Sequence, residues 1–395
     1  MGLSKLKFLL VILLGMYMSC SNGQTLRIAT FNVSMEASNY LTPGKQVNGD
    51  ELFTHLATGS HDQIKNIASI IQQQRPDIIL LNEFDYTAND KQGVKAFLKN
   101  YLNVAQNGSK AIDFPYFYTA PVNTGVDSGF DLDKDGITSG KGGDAFGFGI
   151  YPGQYGMLLL SRYPIDKNNI RTFQHFLWAD MPNNLLTEIK DEQGLNWYSA
   201  AAQKILRLSS KSHWDIPIEV NGNTLHILAS HPTPPVFDGP ENRNGKRNHD
   251  EIRFWRDYIS GEQQAAYIYD DAGKTGGLVG QYFALLGDLN ASEVEGDGIN
   301  SGIGSLLAHQ LVNADFVPTS QGGLMQSLEN PHAASHTADW RMRADYVLPS
   351  RNLSILDGGI FWPTPDDPQF YLVKNRKASS DHRMVWLDIV LETRN

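Results

Sequence analysis

Runs of apolar residues, some alternating with polar ones and some continuous, divide the chain into strands and one-sided helices. The segment 26–34, LRIATFNVS, has the β-branched and aromatic content of a strand. The stretch 62–74, DQIKNIASIIQQQ, instead places Ile64, Ile67, Ala68 and Ile71 on one helical face, and Arg75-Pro76 ends it. DIILLNEFDY follows, with an unbroken apolar run that suits a strand covered on both faces. Further strands are expected in YGMLLLSRYPI (155–165), TLHILASHP (224–232), YFALLGDLN (282–290), RADYVLPS (343–350) and MVWLDIVLE (384–392). HDEIRFWRDYI predicts an amphipathic helix ahead of the Gly-rich stretch before Tyr282. Strands interspersed with helices and long loops make this an α/β chain. No internal repeat or interdomain linker stands out, so residues 26–395 read as a single domain enlarged by its loops.

Composition changes this picture little. The 395 residues are 41 % hydrophobic, ordinary for a folded globular chain. The formal net charge of −10 argues against binding polyanions by overall charge, which leaves a local basic groove as the alternative. At the N-terminus, Lys5 and Lys7 precede an apolar run from Phe8 to Met18, the form of a signal-peptide core within 1–22. Cys20, the single cysteine, closes that run and would carry the lipid of a bacterial lipoprotein, although Tyr17 stands where a small aliphatic residue is usual. Cleavage within Ser21 to Gly23 is the competing reading. Both imply export, to a secreted, periplasmic or outer-membrane-anchored location, and a mature chain without disulfides.

The strand ends carry the chemistry. Asp and Asn are turn formers, so the bland account of each end is a turn. Taken together, however, Asn32, Glu83, His231, Asp288, Asn290, Asp345, Asp381 and His382 are the residue types of one reaction. The oxygens of Asn32, Glu83 and Asp381 suit a magnesium-type ion. Two histidines can act as acid and base near neutral pH, with Asp345 orienting one of them. Asp288 and Asn290 can position a water and stabilise charge on a phosphoryl oxygen. No G-x-S-x-G nucleophile signature is present.

In order along the chain, TFNV, PDIILLNEF, GMLLLSRYPI, ASHP, GDLNAS, RADYVL and SDHRMV resemble the endonuclease/exonuclease/phosphatase superfamily over about 26–391. The resemblance implies a four-layer α/β sandwich, two mixed β-sheets packed face to face with helices outside, and an active site where strand ends of both sheets meet. It implies a metal group of Asn32, Glu83 and Asp381 for Mg2+ or Mn2+. It further implies that Asp288 and Asn290 hold water and phosphate and that His382 pairs with Asp345. His231 places the chain with deoxyribonuclease- and sphingomyelinase-like members, and no carboxylate partner for it is evident. The expected activity is an exported, metal-dependent phosphoester hydrolase acting as phosphodiesterase or phosphatase by direct water attack. Nucleic acid is an alternative substrate, and a non-catalytic binding protein on the same scaffold is the alternative from another class. No obligate protein partner is inferred, and membrane contact would come only through Cys20.

Two further stretches bear on function. DLDKDG repeats Asp131, Asp133 and Asp135 as the first half of a Ca2+ loop does, with Gly142 where the closing glutamate belongs and Asp144 as its substitute. RLSSKSHWD offers Arg207, Lys211 and His213 to a substrate phosphate, or simply alternates along a strand. Basic residues also gather in ENRNGKRNHDEIR after His231, which keeps a local groove for a polyanion open.

Overall fold

The apolar runs pair into two sheets. The computed structural model describes residues 23–42 and 44–392, so the expected signal segment and Cys20 lie outside the described residues. The strands are β1 (Gly23–Met35), β2 (Ile78–Phe84), β3 (Tyr116–Tyr118), β4 (Met157–Ser161), β5 (Arg171–Thr172), β6 (His213–Val220), β7 (Asn223–Ser230), β8 (Tyr282–Asp288), β9 (Asp345–Pro349), β10 (Ser354–Ile360) and β11 (Val385–Glu392). One sheet has the order β10-β11-β1-β2-β4-β3 and the other β5-β6-β7-β8-β9. Each is mixed: β1 with β2 and β7 with β8 run parallel, and the remaining pairs are antiparallel.

Side-chain alternation assembles the layers. In β8, Ala284 and Leu286 join the core shared with β1, β2 and β11, while Phe283 and Leu285 face the opposite way. The second set packs under the helix Arg243–Ile259 through Ile252, Trp255 and Tyr258. On the first sheet, Ile64, Ile67 and Ile71 of the helix Asp62–Gln74 enter the core of β1 and β2. The result is helix, sheet, sheet, helix. Both sheets therefore bury both faces, which is why 78–81 reads as a continuous apolar run.

All seven expected strands are present, the helix Arg243–Ile259 is longer than its apolar face predicts, and β3, β5, β6 and β10 are additional. Pro217 lies inside β6 and Gly358-Gly359 inside β10, residues that argue against a strand when read in isolation.

Candidate active site

Topology brings the polar strand ends together. β1 and β2 run parallel, as do β7 and β8, so the ends of all four converge at one edge of the sandwich. β9 and β11 run antiparallel to their neighbours and start there: Asp345 lies opposite Asp288, and Val385 opposite Thr30. The inward rows Ala284-Leu286 and Ile227-Ala229 continue, two residues on, into Asp288 and His231. Each polar group thus ends an apolar row and inherits its direction.

Asp288 is the hub. Its Oδ2 accepts from Asn32 Nδ2 at 3.0 Å across the sheet interface, and lies 3.4 Å from His231 Nε2 and 3.5 Å from His382 Nε2. Its Oδ1 accepts the Asn290 amide at 3.0 Å, and Asn290 Nδ2 donates to the Pro232 carbonyl at 3.2 Å. Asn82, outside the set read from the sequence, accepts the Asp288 amide through Oδ1 at 3.2 Å. His382 Nδ1 pairs with Asp345 Oδ2 at 2.8 Å, and Thr337 Oγ1 donates to the same oxygen at 2.7 Å. Asp288, Asp345 and His382 stand close enough for three metal ligands. The short Nδ1 contact, reinforced by Thr337, instead reads as a carboxylate that orients an imidazole. Trp340, 45 % exposed, packs edge-on against His382 with ring centroids 4.6 Å apart.

Burial and charge split the titrating groups. Burial opposes charge on His382, but Asp345 and Asp288 outweigh it and raise the ring to about 10. Burial also pushes Asp288 up to about 7, against the pull of His382. His231 moves well down, through burial and then through the charges of Lys211 and His382. Its Nδ1 is enclosed and has no partner. Among the described residues, the carboxylate at this ring is Asp288, which faces Nε2 rather than Nδ1.

Glu83, Asp381 and Asn32 form the oxygen-rich side. Ser34 Oγ donates to Asp381 Oδ1 at 2.9 Å and the Ser34 amide to Asn32 Oδ1 at 3.1 Å. Glu83 adopts φ +57°, the left-handed region that costs a non-glycine residue roughly 1–2 kcal/mol. Burial, then the nearby Asp381, raises its carboxyl. Glu83 Oε2 is enclosed without a hydrogen-bond partner. An orphaned buried carboxylate oxygen with a second carboxylate near it fits a hard divalent cation.

Other sequence-level candidates separate. Lys211 is only 5 % exposed, and its ammonium makes no hydrogen bond or ion pair among the described residues. Burial lowers its pKa, while the charges of Glu251, Asp288 and Glu83 oppose that fall, which puts Lys211 beside the site. His213 is a core residue: burial takes it down to about 4, and its Nε2 meets the Glu251 carbonyl at 2.9 Å. Arg207 caps Asn123 Oδ1 at 2.6 Å and covers the Phe146 ring.

The basic side chains after His231 are turned to internal partners. Arg243 pairs with Glu241, and Lys246 donates to the carbonyls of Glu188 and Glu241. Arg247 donates to the carbonyls of Phe146, Arg207, Leu208 and Ser209, and Arg253 to those of Pro182 and Asn183. These cations are spent on holding loops. In the segment read as a Ca2+ loop, carboxylate oxygens of Asp131, Asp133 and Asp144 lie within 4.8 Å of one another. Asp135 lies outside that trio, and its carboxylate accepts the Ile137 amide at 2.7 Å.

A cavity of about 390 Å³ opens at the opposite end of the second sheet, floored by Asp215, His226, Tyr258 and Arg171. Arg171 donates there to the carbonyls of Lys274, Gly276 and Gly277 and pairs with Asp270, so this buried network pins a loop.

A family model described as "Endonuclease/Exonuclease/phosphatase family" matches residues 29–382. No curated protein matches the chain. Among solved structures, an endonuclease/exonuclease/phosphatase from Beutenbergia cavernae is 17 % identical, with 93 % of this chain and 72 % of that one covered at TM-score 0.48. Sphingomyelinase C from Streptomyces griseocarneus is 14 % identical, covering 92 % and 99 % at TM-score 0.42. A beta toxin from Staphylococcus aureus with bound magnesium ions is 12 % identical, covering 92 % and 99 % at TM-score 0.44.

Proposed function

The chain belongs to the endonuclease/exonuclease/phosphatase family, and from that premise we propose that it is an exported hydrolase of phosphoesters, dependent on Mg2+ or Mn2+ and built as one domain over 26–395. The observation that carries this reading is the shared Asp288 Oδ2, approached at once by Asn32, His231 and His382. A binding protein that merely kept the scaffold would have no reason to retain every member of that cluster. The reading rejects it.

Asp288 is the base in this proposal. A carboxylate near pH 7 is matched to taking a proton from water at neutral pH. The water oxygen attacks phosphorus as its proton passes to Asp288; the bond to the leaving oxygen breaks on the far side, the electron pair stays on that oxygen, and it takes a proton from solvent as it departs. His382, protonated beside Asp345, donates to a non-bridging phosphoryl oxygen as charge builds there, and Lys211 adds a second cation. Asn290, fixed to the Pro232 carbonyl, orients the phosphate. Glu83, Asp381 and Asn32 would hold the divalent ion, which when bound offsets negative charge on the phosphate and leaving group. His231, neutral at pH 7, flanks Asp288 and can hydrogen-bond phosphate without adding charge. Ca2+ at Asp131, Asp133 and Asp144 would be a separate structural site.

The substrate is a small phosphoester or phosphodiester rather than long duplex DNA. Duplex binding draws its affinity from many Lys and Arg contacts to phosphate, and the basic segment that could supply them is committed to internal bonds. The test is a panel of bis(p-nitrophenyl) phosphate, p-nitrophenyl phosphate, sphingomyelin, RNA and duplex DNA at several salt concentrations. A small ester should be cut with weak salt dependence, activity should vanish with chelator and return with Mg2+ or Mn2+, and Glu83→Ala should lose at least about 100-fold. Fast, steeply salt-sensitive cutting of duplex DNA alone makes the protein a nuclease. Undiminished turnover in chelator defeats the metal assignment.

Export is proposed from the segment 1–22 and is decided by mass spectrometry of protein from its native host. A chain beginning near residue 21 is expected, with added lipid mass on Cys20 if the lipoprotein route is used. Intact Met1 in mature protein contradicts export.

A further inference from the structure

A cation stands against the carboxylates of the cleft. Arg376 Nη1 lies 3.4 Å from Asp381 Oδ2, and the Arg376 side chain is 49 % exposed. Glu83 and Glu36 are near enough for their charges to act on the same guanidinium. The contact lacks the form of a structural anchor. Arg27 shows that form in this protein: its Nε and Nη2 donate in parallel to the two oxygens of Asp388, each at 2.7 Å. Arg376 instead approaches one oxygen with one nitrogen, beyond hydrogen-bond contact. The orientation of Asp381 is set from its other oxygen, by Ser34 Oγ. Arg376 is thus drawn to the acidic cluster by charge alone and can turn into water without breaking a hydrogen bond.

We propose that Arg376 sets the ion affinity of the cleft by competing with the divalent cation for Asp381 and Glu83. The inference rests on the proposed reading that these two carboxylates hold the ion, but the competition itself requires no hydrolysis. Two cations cannot both neutralise Asp381 Oδ2 and the unpartnered Glu83 Oε2 without repelling one another. A unit charge a few Å from a divalent ion in a solvated cleft should weaken binding by about tenfold. An ion of fixed size must displace the guanidinium outward, so the ion concentration needed for occupancy depends on a residue outside the ligand set.

The experiment is a Mn2+ titration, read by electron paramagnetic resonance, of the purified, chelator-stripped protein and its Arg376→Gln and Arg376→Lys variants. Arg376→Gln should bind Mn2+ about tenfold more tightly, and Arg376→Lys, which keeps the charge, should stay within about threefold of the parent. The gap should shrink at high salt, since half-exposed charges are screened. Thermal unfolding in the same buffers must show a cooperative transition for each variant, with a larger Mn2+-induced rise for Arg376→Gln. Equal or weaker Mn2+ binding by a cooperatively folded Arg376→Gln overturns the proposal. Tighter binding without hydrolysis of any ester would refute the hydrolase reading and leave the competition standing. If none of the three proteins binds Mn2+, both fall.

Discussion

Asp288→Asn is expected to lower turnover by about 10³-fold or more while the protein remains folded at neutral pH. The carboxylate meets both histidines and Asn32, and the amide can no longer accept a proton from water. Stability responds to two opposing changes. The variant loses an acceptor for Asn32 and a counter-charge for His382, but it no longer carries a carboxylate whose ionised form is opposed by burial. Because the folded value of Asp288 is raised, its ionisation burdens the native state above the ordinary carboxylate range, increasingly up to about pH 7. The parent protein's disadvantage on that account should disappear in the variant across this window. Circular dichroism melts beside steady-state rates decide it. A loss of activity matched by a loss of folding would remove Asp288 from the chemistry, and near-normal turnover would do so outright.

His382→Ala should damage both turnover and stability. Removing the ring leaves Asp345 and Asp288 as buried carboxylates without their shared cation, the situation that typically costs about 3–5 kcal/mol, and turnover should fall about 10²–10⁴-fold. The pH dependence follows from the raised value. His382 gains its partner on folding, so its contribution is fully present below the ordinary histidine range and is lost as pH rises towards about 10. In chelator, the parent should therefore lose stability from about pH 6.5 upwards, and His382→Gln should lack that slope. An identical alkaline slope in the two proteins means that Asp345 does not hold a protonated ring.

Much of this site is legible in the sequence because strand alternation converts spacing into direction. Ala284, Leu286 and Asp288 share a face, so a polar residue at the end of an apolar row must look into the gap between the sheets. Pairing between segments is not legible in that way. Thr337 holds Asp345 by donating to its carboxylate and accepting its amide, and Asn82 accepts the Asp288 amide; no local pattern marks these contacts. The run ENRNGKRNHDEIR shows its charge but not its partners, and loop carbonyls brought in from 146, 182 and 207–209 absorb it. Lys211 and His213 are two residues apart and look equivalent by type. One adjoins the site, and the other is enclosed by Phe254 and Trp255. The alternation of Asp in DLDKDG likewise does not show which carboxylates will gather: Asp131 and Asp133 meet Asp144, and Asp135 turns to the Ile137 amide.

The pairing of β1 with β11 also governs when the protein can act during its own synthesis. Arg27 and Asp388, joined in that pair, are 361 positions apart. At roughly 5–20 residues per second, a ribosome needs tens of seconds to deliver the partner of a strand it has already made. Until then β1 has an open edge, and Asp381 and His382 do not exist. A nascent chain therefore contains no working site, and contacts of this span close late in folding. Whatever the finished cleft does, it is switched on by the last strand the ribosome delivers.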